Sequence, residues 1–246
     1  MTAMTETFTL NIAPDNITPE NTPINSRVTT KKYDIAFLHT SALCVKNFDV
    51  IMKELAPELS VKHEVRPHFL SRAHANGIDR VLEGDVTAAI EALSQKSKVV
   101  VVTCSYIGQV AENIGMLNGS HIESIDRAMA DFAVERANNI LVLTALQSTL
   151  KPTRELLKSS MNHFGVKPTV TLQYVDDAWE HFLSGNEKGY YEDIAKVLRE
   201  KEQDYDLIML AQSSMAGVVD GVELSIPVIS SPRIGVERAI QFLAPR

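Results

Sequence analysis

Cysteine is scarce in this chain, with only Cys44 and Cys104 among 246 residues. Two thiols are too few for a disulfide framework, and a reducing compartment leaves both available for chemistry. Excess positive charge is also missing: 31 acidic residues outnumber 24 basic ones, for a formal net charge of -7 and a pI near 5.5. Without a Lys/Arg cluster or a basic aromatic stripe, nothing attracts a phosphate backbone, and nucleic acid is not an expected partner. No apolar run reaches the roughly 18–20 residues that cross a bilayer, and no basic stretch leads into an apolar one at the N-terminus. No membrane association is expected, and the default address is the cytoplasm. Metal-ligand spacing is absent as well. The histidines are scattered, and His63, His68 and His74 share a stretch without a Cys or carboxylate partner pattern, so no metal is expected. No G-x-G-x-x-G follows a strand, no G-x-x-x-x-G-K-[ST] occurs, and no lysine stands in a context suited to a pyridoxal Schiff base. NAD, ATP and pyridoxal phosphate are therefore disfavoured, and no cofactor is expected.

What remains is an ordinary packed composition, 45% hydrophobic and 22% charged, in a chain long enough for two small domains. Residues 1 to about 32, rich in Asn, Thr, Pro and Asp and without periodicity, read as an extended or disordered arm. From Tyr33 onward, short β-rich runs alternate with longer amphipathic segments, the pattern of an α/β fold with parallel sheets covered by helices. Buried strands are expected over 34–39, 61–67, 98–103, 139–144, 169–174, 206–211 and 227–230, because these are short apolar runs. Helical spacing of apolar positions predicts helices over 48–59, 79–94, 125–137, 153–164, 190–202 and 235–243.

The two halves also correspond at an offset of about 105–108 residues, the size of one small domain. Strand 34–39 falls on 139–144, and Val100 to Ser105 falls on Ile208 to Ser213, which sets Cys104 opposite Gln212. Ligands of open α/β sheets bind past the carboxyl ends of the strands, so both corners are expected to face one interdomain cleft.

Cys104 ends a buried strand and precedes an apparent helix. Backbone N–H groups at such a corner stabilise a thiolate and bind carboxylates equally well. The structural alternative is a small buried hydrophobe, and that reading is preferred for Cys44, several residues beyond the first strand. His39, Thr40 and Ser41 leave the first strand on the same side as Cys104. Their hydroxyls are candidates for substrate oxygens, and His39 is a candidate base or a satisfied hydrogen-bonding residue. Ser148 and Thr149 follow the strand at 139–144, as helix caps, carboxylate ligands or both. Gln212 and Ser213 repeat the corner with groups that orient a substrate but do not readily take a proton.

The corner Thr103-Cys104-Ser105, together with Leu210-Ala211-Gln212-Ser213-Ser214-Met215-Ala216, resembles the aspartate/glutamate racemase superfamily. Supporting stretches are Phe37-Leu38-His39-Thr40, Ile125-Asp126-Arg127-Ala128-Met129-Ala130, Thr149-Leu150-Lys151-Pro152-Thr153 and Pro227-Val228-Ile229-Ser230-Ser231-Pro232-Arg233. The superfamily also includes hydantoin racemases, maleate isomerases and arylmalonate decarboxylases. The resemblance implies two flavodoxin-like domains related by a pseudo-twofold axis, with the active site in the interdomain cleft and no cofactor. On that pattern residues 33–124 and 221–246 form the first domain, with the last strand and helix returning to it, and 125–220 form the second.

The racemases carry one cysteine per domain, on opposite faces of the substrate. Cys104 matches the first, and Gln212 stands where the second would be; arylmalonate decarboxylases have a single cysteine, but in the second position. One base leaves stereoinversion without an obvious route, whereas nucleophilic addition by Cys104, or elimination or decarboxylation followed by its proton, needs only one thiol. The expected activity is therefore that of a racemase or isomerase at the carbon alpha to a carboxylate, acting through Cys104 on a small carboxylate. Ser41, Ser105, Ser148, Thr149 and Ser213 would bind its oxygens and Gln212 would orient it. A lyase or decarboxylase of the same superfamily and a non-catalytic carboxylate-binding protein are the alternatives. A homo-oligomer, by default a dimer, is expected.

Overall fold

Strand residues alternate sides of a sheet, and four strands of this chain are apolar on both sides, so each must be covered twice. The computed structural model describes residues 5–9 and 31–244. Its strands are β1 (Thr5–Phe8), β2 (Tyr33–His39), β3 (Val61–Val65), β4 (Ser97–Val102), β5 (Met116–Leu117), β6 (Ser120–Ser124), β7 (Asn139–Thr144), β8 (Thr169–Tyr174), β9 (Leu207–Leu210) and β10 (Val228–Ser230). Its helices are α1 (Leu43–Leu55), α2 (Pro67–Asn76), α3 (Arg80–Ser94), α4 (Gly108–Ile114), α5 (Arg127–Arg136), α6 (Leu150–Phe164), α7 (Ala178–Leu183), α8 (Glu187–Lys201) and α9 (Ser231–Gln241).

The strands form two sheets, ordered β3-β2-β4-β6-β5 and β1-β8-β7-β9-β10. Within each, four parallel strands follow one pattern: β3-β2-β4-β6 in the first matches β8-β7-β9-β10 in the second. The duplication in the sequence is thus a duplication of topology. One antiparallel strand is added to each sheet. β5 joins β6 through Asn118 and Gly119, both at positive φ, as a tight hairpin requires. β1 pairs antiparallel with β8. Residues 5–8 of the expected N-terminal arm are therefore a strand of the second sheet; the rest of the arm, residues 1–4 and 10–30, lies outside the described residues.

One expectation is corrected by β10. The resemblance had the last strand return to the first domain, yet Val228–Ser230 pairs with β9 and completes the second sheet, in the place that β6 takes in the first. Only the helix after it crosses over. Val236 and Ala239 of α9 pack with Ile35 and Phe37 of β2, Val99 and Val101 of β4, and Phe48 and Met52 of α1. Reciprocally, α5, which follows β6, packs Met129, Ala133 and Val134 against Ile140 and Val142 of β7 and Met209 of β9. Each half lends a helix to the other. The outer faces are covered within their own halves, by α2, α3 and α4 on one sheet and by α7 and α8 on the other.

Two helices were not expected, α2 and α7, 10 and 6 residues long, and α4, 7 residues long, was expected only as a helix without bounds after Cys104; all three are too short for apolar spacing to repeat clearly. Strand β6, Ser-His-Ile-Glu-Ser, was missed because its polar residues hide a buried position. Among the described residues no helix is long and apolar enough to cross a membrane.

The exchanged helices meet at Gly235, where an added Cβ would lie 2.5 Å from the Ile125 carbonyl and collide with the Ile125 side chain. Gly84, inside α3, has open space around it. Gly235→Ala is expected to destabilise the protein by about 1–3 kcal/mol through overpacking, whereas Gly84→Ala adds about 0.5–1 kcal/mol. Urea denaturation of the two variants checks the contrast.

Candidate active site

Four parallel strands end on one side of the molecule, and the loops that leave them form a cavity of about 430 Å³ between the two sheets. After β2 come Thr40 and Ser41, after β4 Thr103 to Tyr106, after β7 Leu146 and Thr149, and after β9 Gln212 to Ser214. Of the residues singled out in the sequence, Cys104, Thr40, Ser41, Ser105, Thr149, Gln212 and Ser213 all line this cavity. Two do not. His39 is fully buried behind Thr103. The Ser148 hydroxyl is buried without a partner and faces elsewhere.

Cys104 is half-buried. The helix expected directly after it is separated from it by a turn closed by Ile107 N–H on the Cys104 carbonyl at 3.2 Å, and α4 begins only at Gly108. The expectation of a lowered thiol pKa is reversed: burial pushes the Cys104 thiol up. The Thr40 hydroxyl and the backbone N–H groups of Tyr106 and Ile107 pull against burial, and Asp126 adds to it.

Across the cavity, Gln212 Oε1 accepts the Ala145 N–H at 2.6 Å and lies 3.2 Å from the Thr144 hydroxyl. This turns the amide nitrogen into the free donor end. The Thr149 hydroxyl donates to the Leu146 carbonyl at 2.6 Å, and neither it nor Ser148 caps α6 through a side chain. The Ser105 hydroxyl donates to the Ala211 carbonyl at 3.1 Å, tying the two corners across the halves.

Several lining residues escaped the sequence reading. Trp179 and Phe182, stacked with ring centroids 4.7 Å apart, form an apolar wall with Leu183 and Leu70. They sit on α7 and α2, the short helices whose periodicity is too brief to see. Cys44 also lines the cavity, because α1 starts at Leu43 rather than at residue 48 and puts this thiol in its first turn. Burial first, and then proximity to Cys104, raise the Cys44 pKa to about 11. Among the described residues, neither Lys nor Arg lines the cavity.

No protein-family model matches the chain, and no curated protein matches it in sequence. Solved structures do match in shape. An aspartate racemase from Picrophilus torridus superposes with a TM-score of 0.64 at 14% identity, over 85% of this chain and 93% of that one. An allantoin racemase from Klebsiella pneumoniae gives 0.62 at 19%, over 86% and 87%. The chain has the aspartate/glutamate racemase fold. A glutamate racemase isoform from Bacillus anthracis shares the racemase fold with it at a TM-score of 0.62 and 15% identity, over 87% of this chain and 82% of that one.

Beneath the cavity of this racemase fold lies Asp126, almost wholly buried, with Oδ1 unpartnered. Burial raises its pKa to about 6, the hydroxyls of Ser105 and Ser231 oppose that, and Glu112 adds to it. The raised value means that the folded state favours the protonated acid. That stability is fully present below the unfolded value of 3.8 and is lost as pH rises from about 4 to about 6. The loss amounts to about 3 kcal/mol at about 1.36 kcal/mol per pKa unit. Asp126→Asn should abolish this acid-to-neutral decline in a series of urea melts. For Cys44, a pKa near 11 should make alkylation by iodoacetamide at pH 8 roughly tenfold slower than for a free thiol, the smaller thiolate fraction being partly offset by greater nucleophilicity. Peptide mapping against time measures it.

Proposed function

We propose that this protein is a cofactor-independent racemase or isomerase acting at the carbon alpha to a carboxylate, with Cys104 as its acid–base group. The observation that carries the reading is the convergence of three donors, Thr40 hydroxyl, Tyr106 N–H and Ile107 N–H, on a thiol that burial otherwise keeps neutral. A neutral thiol is a ready proton donor. Once ionised, a thiolate of raised pKa is a correspondingly stronger base, and the three donors offset part of the cost of holding it. In this reading Ser41, Ser213 and the amide nitrogen of Gln212 hold the substrate carboxylate, and Ser105 and Thr149 shape its seat from hydroxyls already engaged with the Ala211 and Leu146 carbonyls.

The lining also bears on the substrate. A second carboxylate would be desolvated without a Lys or Arg partner, His74 being the one imidazole on the lining, at a cost of several kcal/mol in effective terms if left unpaired. An apolar substituent against Trp179, Phe182 and Leu183 gains instead. The substrate class supported is a carboxylate with one anionic head and an apolar or aromatic side group.

The amide of Gln212 favours a second reading, since a lyase or decarboxylase needs only one proton donor. Carbon dioxide or an alkene among the products would distinguish it.

Exchange of the α-proton in heavy water, followed by NMR for L- and D-phenylalanine, leucine and aspartate, tests the proposal. Exchange is expected for the apolar pair in preference to aspartate, and Cys104→Ser should lower it at least about 100-fold. Exchange that persists in Cys104→Ser, or is absent from every acid tried, would sink the reading. Binding of these acids without turnover, at a thiol that alkylates with an ordinary pH profile, would point to a carboxylate-binding protein.

A further inference from the structure

A carboxylate that enters the cavity meets an electrostatic obstacle. Neither Lys nor Arg is on the lining, and beneath it lies the carboxyl group of Asp126, 3% exposed. Away from water two like charges repel strongly, so an ionised Asp126 and a ligand carboxylate oppose one another.

Asp126 is connected to the cavity through hydroxyls. Ser105 lines both the cavity and the narrow cleft that Asp126 borders, and it hydrogen-bonds to the carboxyl group. Ser231, wholly buried at the start of α9, also hydrogen-bonds to it. The Ser231 hydroxyl stands 3.4 Å from that of Ser213, which lines the cavity. Asp126 is also near enough to Cys104 to raise the thiol's pKa. Helix capping, the ordinary structural use of an aspartate in this position, does not account for the group: it precedes α5 but its side chain accepts none of the helix N–H groups, and its Oδ1 has no partner.

Resting on the reading of the cavity as a carboxylate site, we propose that Asp126 is its charge switch: the side chain takes up one proton when a carboxylate ligand binds, and the cavity thereby accepts an anion without Lys or Arg. The proton comes from solvent and forms an O–H bond on Asp126. No other bond is made or broken, and the complex carries the same net charge as the ligand-free protein. Burial has already brought the carboxyl to a pKa of about 6, and a second negative charge nearby raises it further. The other charged groups around it are engaged. Glu112 from α4 is held by Arg127, and Arg233 and Arg238 of α9 are paired with Glu54 and with Glu123 and Asp131. Helix α6 brings only Pro152, Thr153 and Leu156 to the cleft, and burial keeps the Cys104 thiol neutral.

Protonation also turns a hydroxyl outward. While Asp126 is ionised, Ser231 donates to it and accepts from Ser213, whose lone pairs are left facing the cavity. Once protonated, Asp126 donates to Ser231, Ser231 donates to Ser213, and the Ser213 proton is released to a ligand oxygen.

Two measurements test the switch. The first is calorimetry of 3-phenylpropanoate, a carboxylate with an apolar group and no amine, in buffers of different ionisation enthalpy. Binding at pH 7 should take up about 0.5–0.8 proton per ligand and should weaken roughly tenfold from pH 6 to pH 8. Asp126→Asn should abolish both effects, whereas His74→Gln, which removes the one imidazole on the lining, should leave them. Uptake that survives in Asp126→Asn, or vanishes in His74→Gln, overturns the switch. If neither this acid nor phenylalanine binds, it is the reading of the cavity as a carboxylate site that fails, and the second measurement decides the switch. In Cys44→Ala protein, iodoacetate ties a carboxylate to Cys104, and iodoacetamide ties its neutral counterpart to the same sulfur. The ¹³C carboxyl resonance of Asp126, assigned by its loss in Asp126→Asn, should titrate with a midpoint at least about one pH unit higher in the first adduct than in the second. Equal midpoints in the two adducts overturn the proposal.

Discussion

A parallel sheet is apolar on both faces and folds only if both are covered, and here each half of the chain lends a helix that helps to cover one face of the other's sheet. Helix α5 leaves the fourth strand of the first sheet and packs on the second; α9 leaves the fourth strand of the second and packs on the first. The exchange ties the halves together and sets the carboxyl ends of both sheets around one cavity. Gly235 against Ile125 and Ser105 against the Ala211 carbonyl are the close contacts that this crossing requires.

That frame explains why the cavity is polar at its floor and apolar at its rim. Strand ends must dispose of unpaired backbone groups, and small hydroxyl residues do so while leaving room for a ligand. The short helices α2 and α7 stand farther out and contribute Leu70, Trp179, Phe182 and Leu183. A thiol set among these parts is neutral at rest, with its anion supported by two N–H groups and one hydroxyl. Cys44 and Asp126 are likewise held protonated beyond their ordinary ranges by burial.

Much of the architecture was legible because its signals are local. The strands 139–144 and 169–174 agree residue for residue with β7 and β8, since an uninterrupted run of β-branched and apolar residues has few other uses. The pairing of Cys104 with Gln212 followed from repetition alone. Less legible were elements whose residues serve two purposes. Strand β6 hides Ile122 among polar neighbours, and α1 begins five residues early through Leu43, exposed at 73%, where no buried stripe marks it. Cys44 packs against the Phe37 and Phe48 core as expected, and the misplaced start of α1 is why its place on the cavity went unseen.

The sequence by itself determined the α/β class, the internal duplication and the corner that carries Cys104, because period, repeat and strand-end chemistry are properties of neighbours along the chain. Tertiary structure alone decided which sheet receives Val228–Ser230, that His39 stands behind Thr103 rather than in the cavity, and that burial raises the Cys104 thiol instead of lowering it. Each of these depends on what lies across a sheet or between two halves, and distance in space, desolvation and hydrogen-bond direction are not encoded in the spacing of residues along a line.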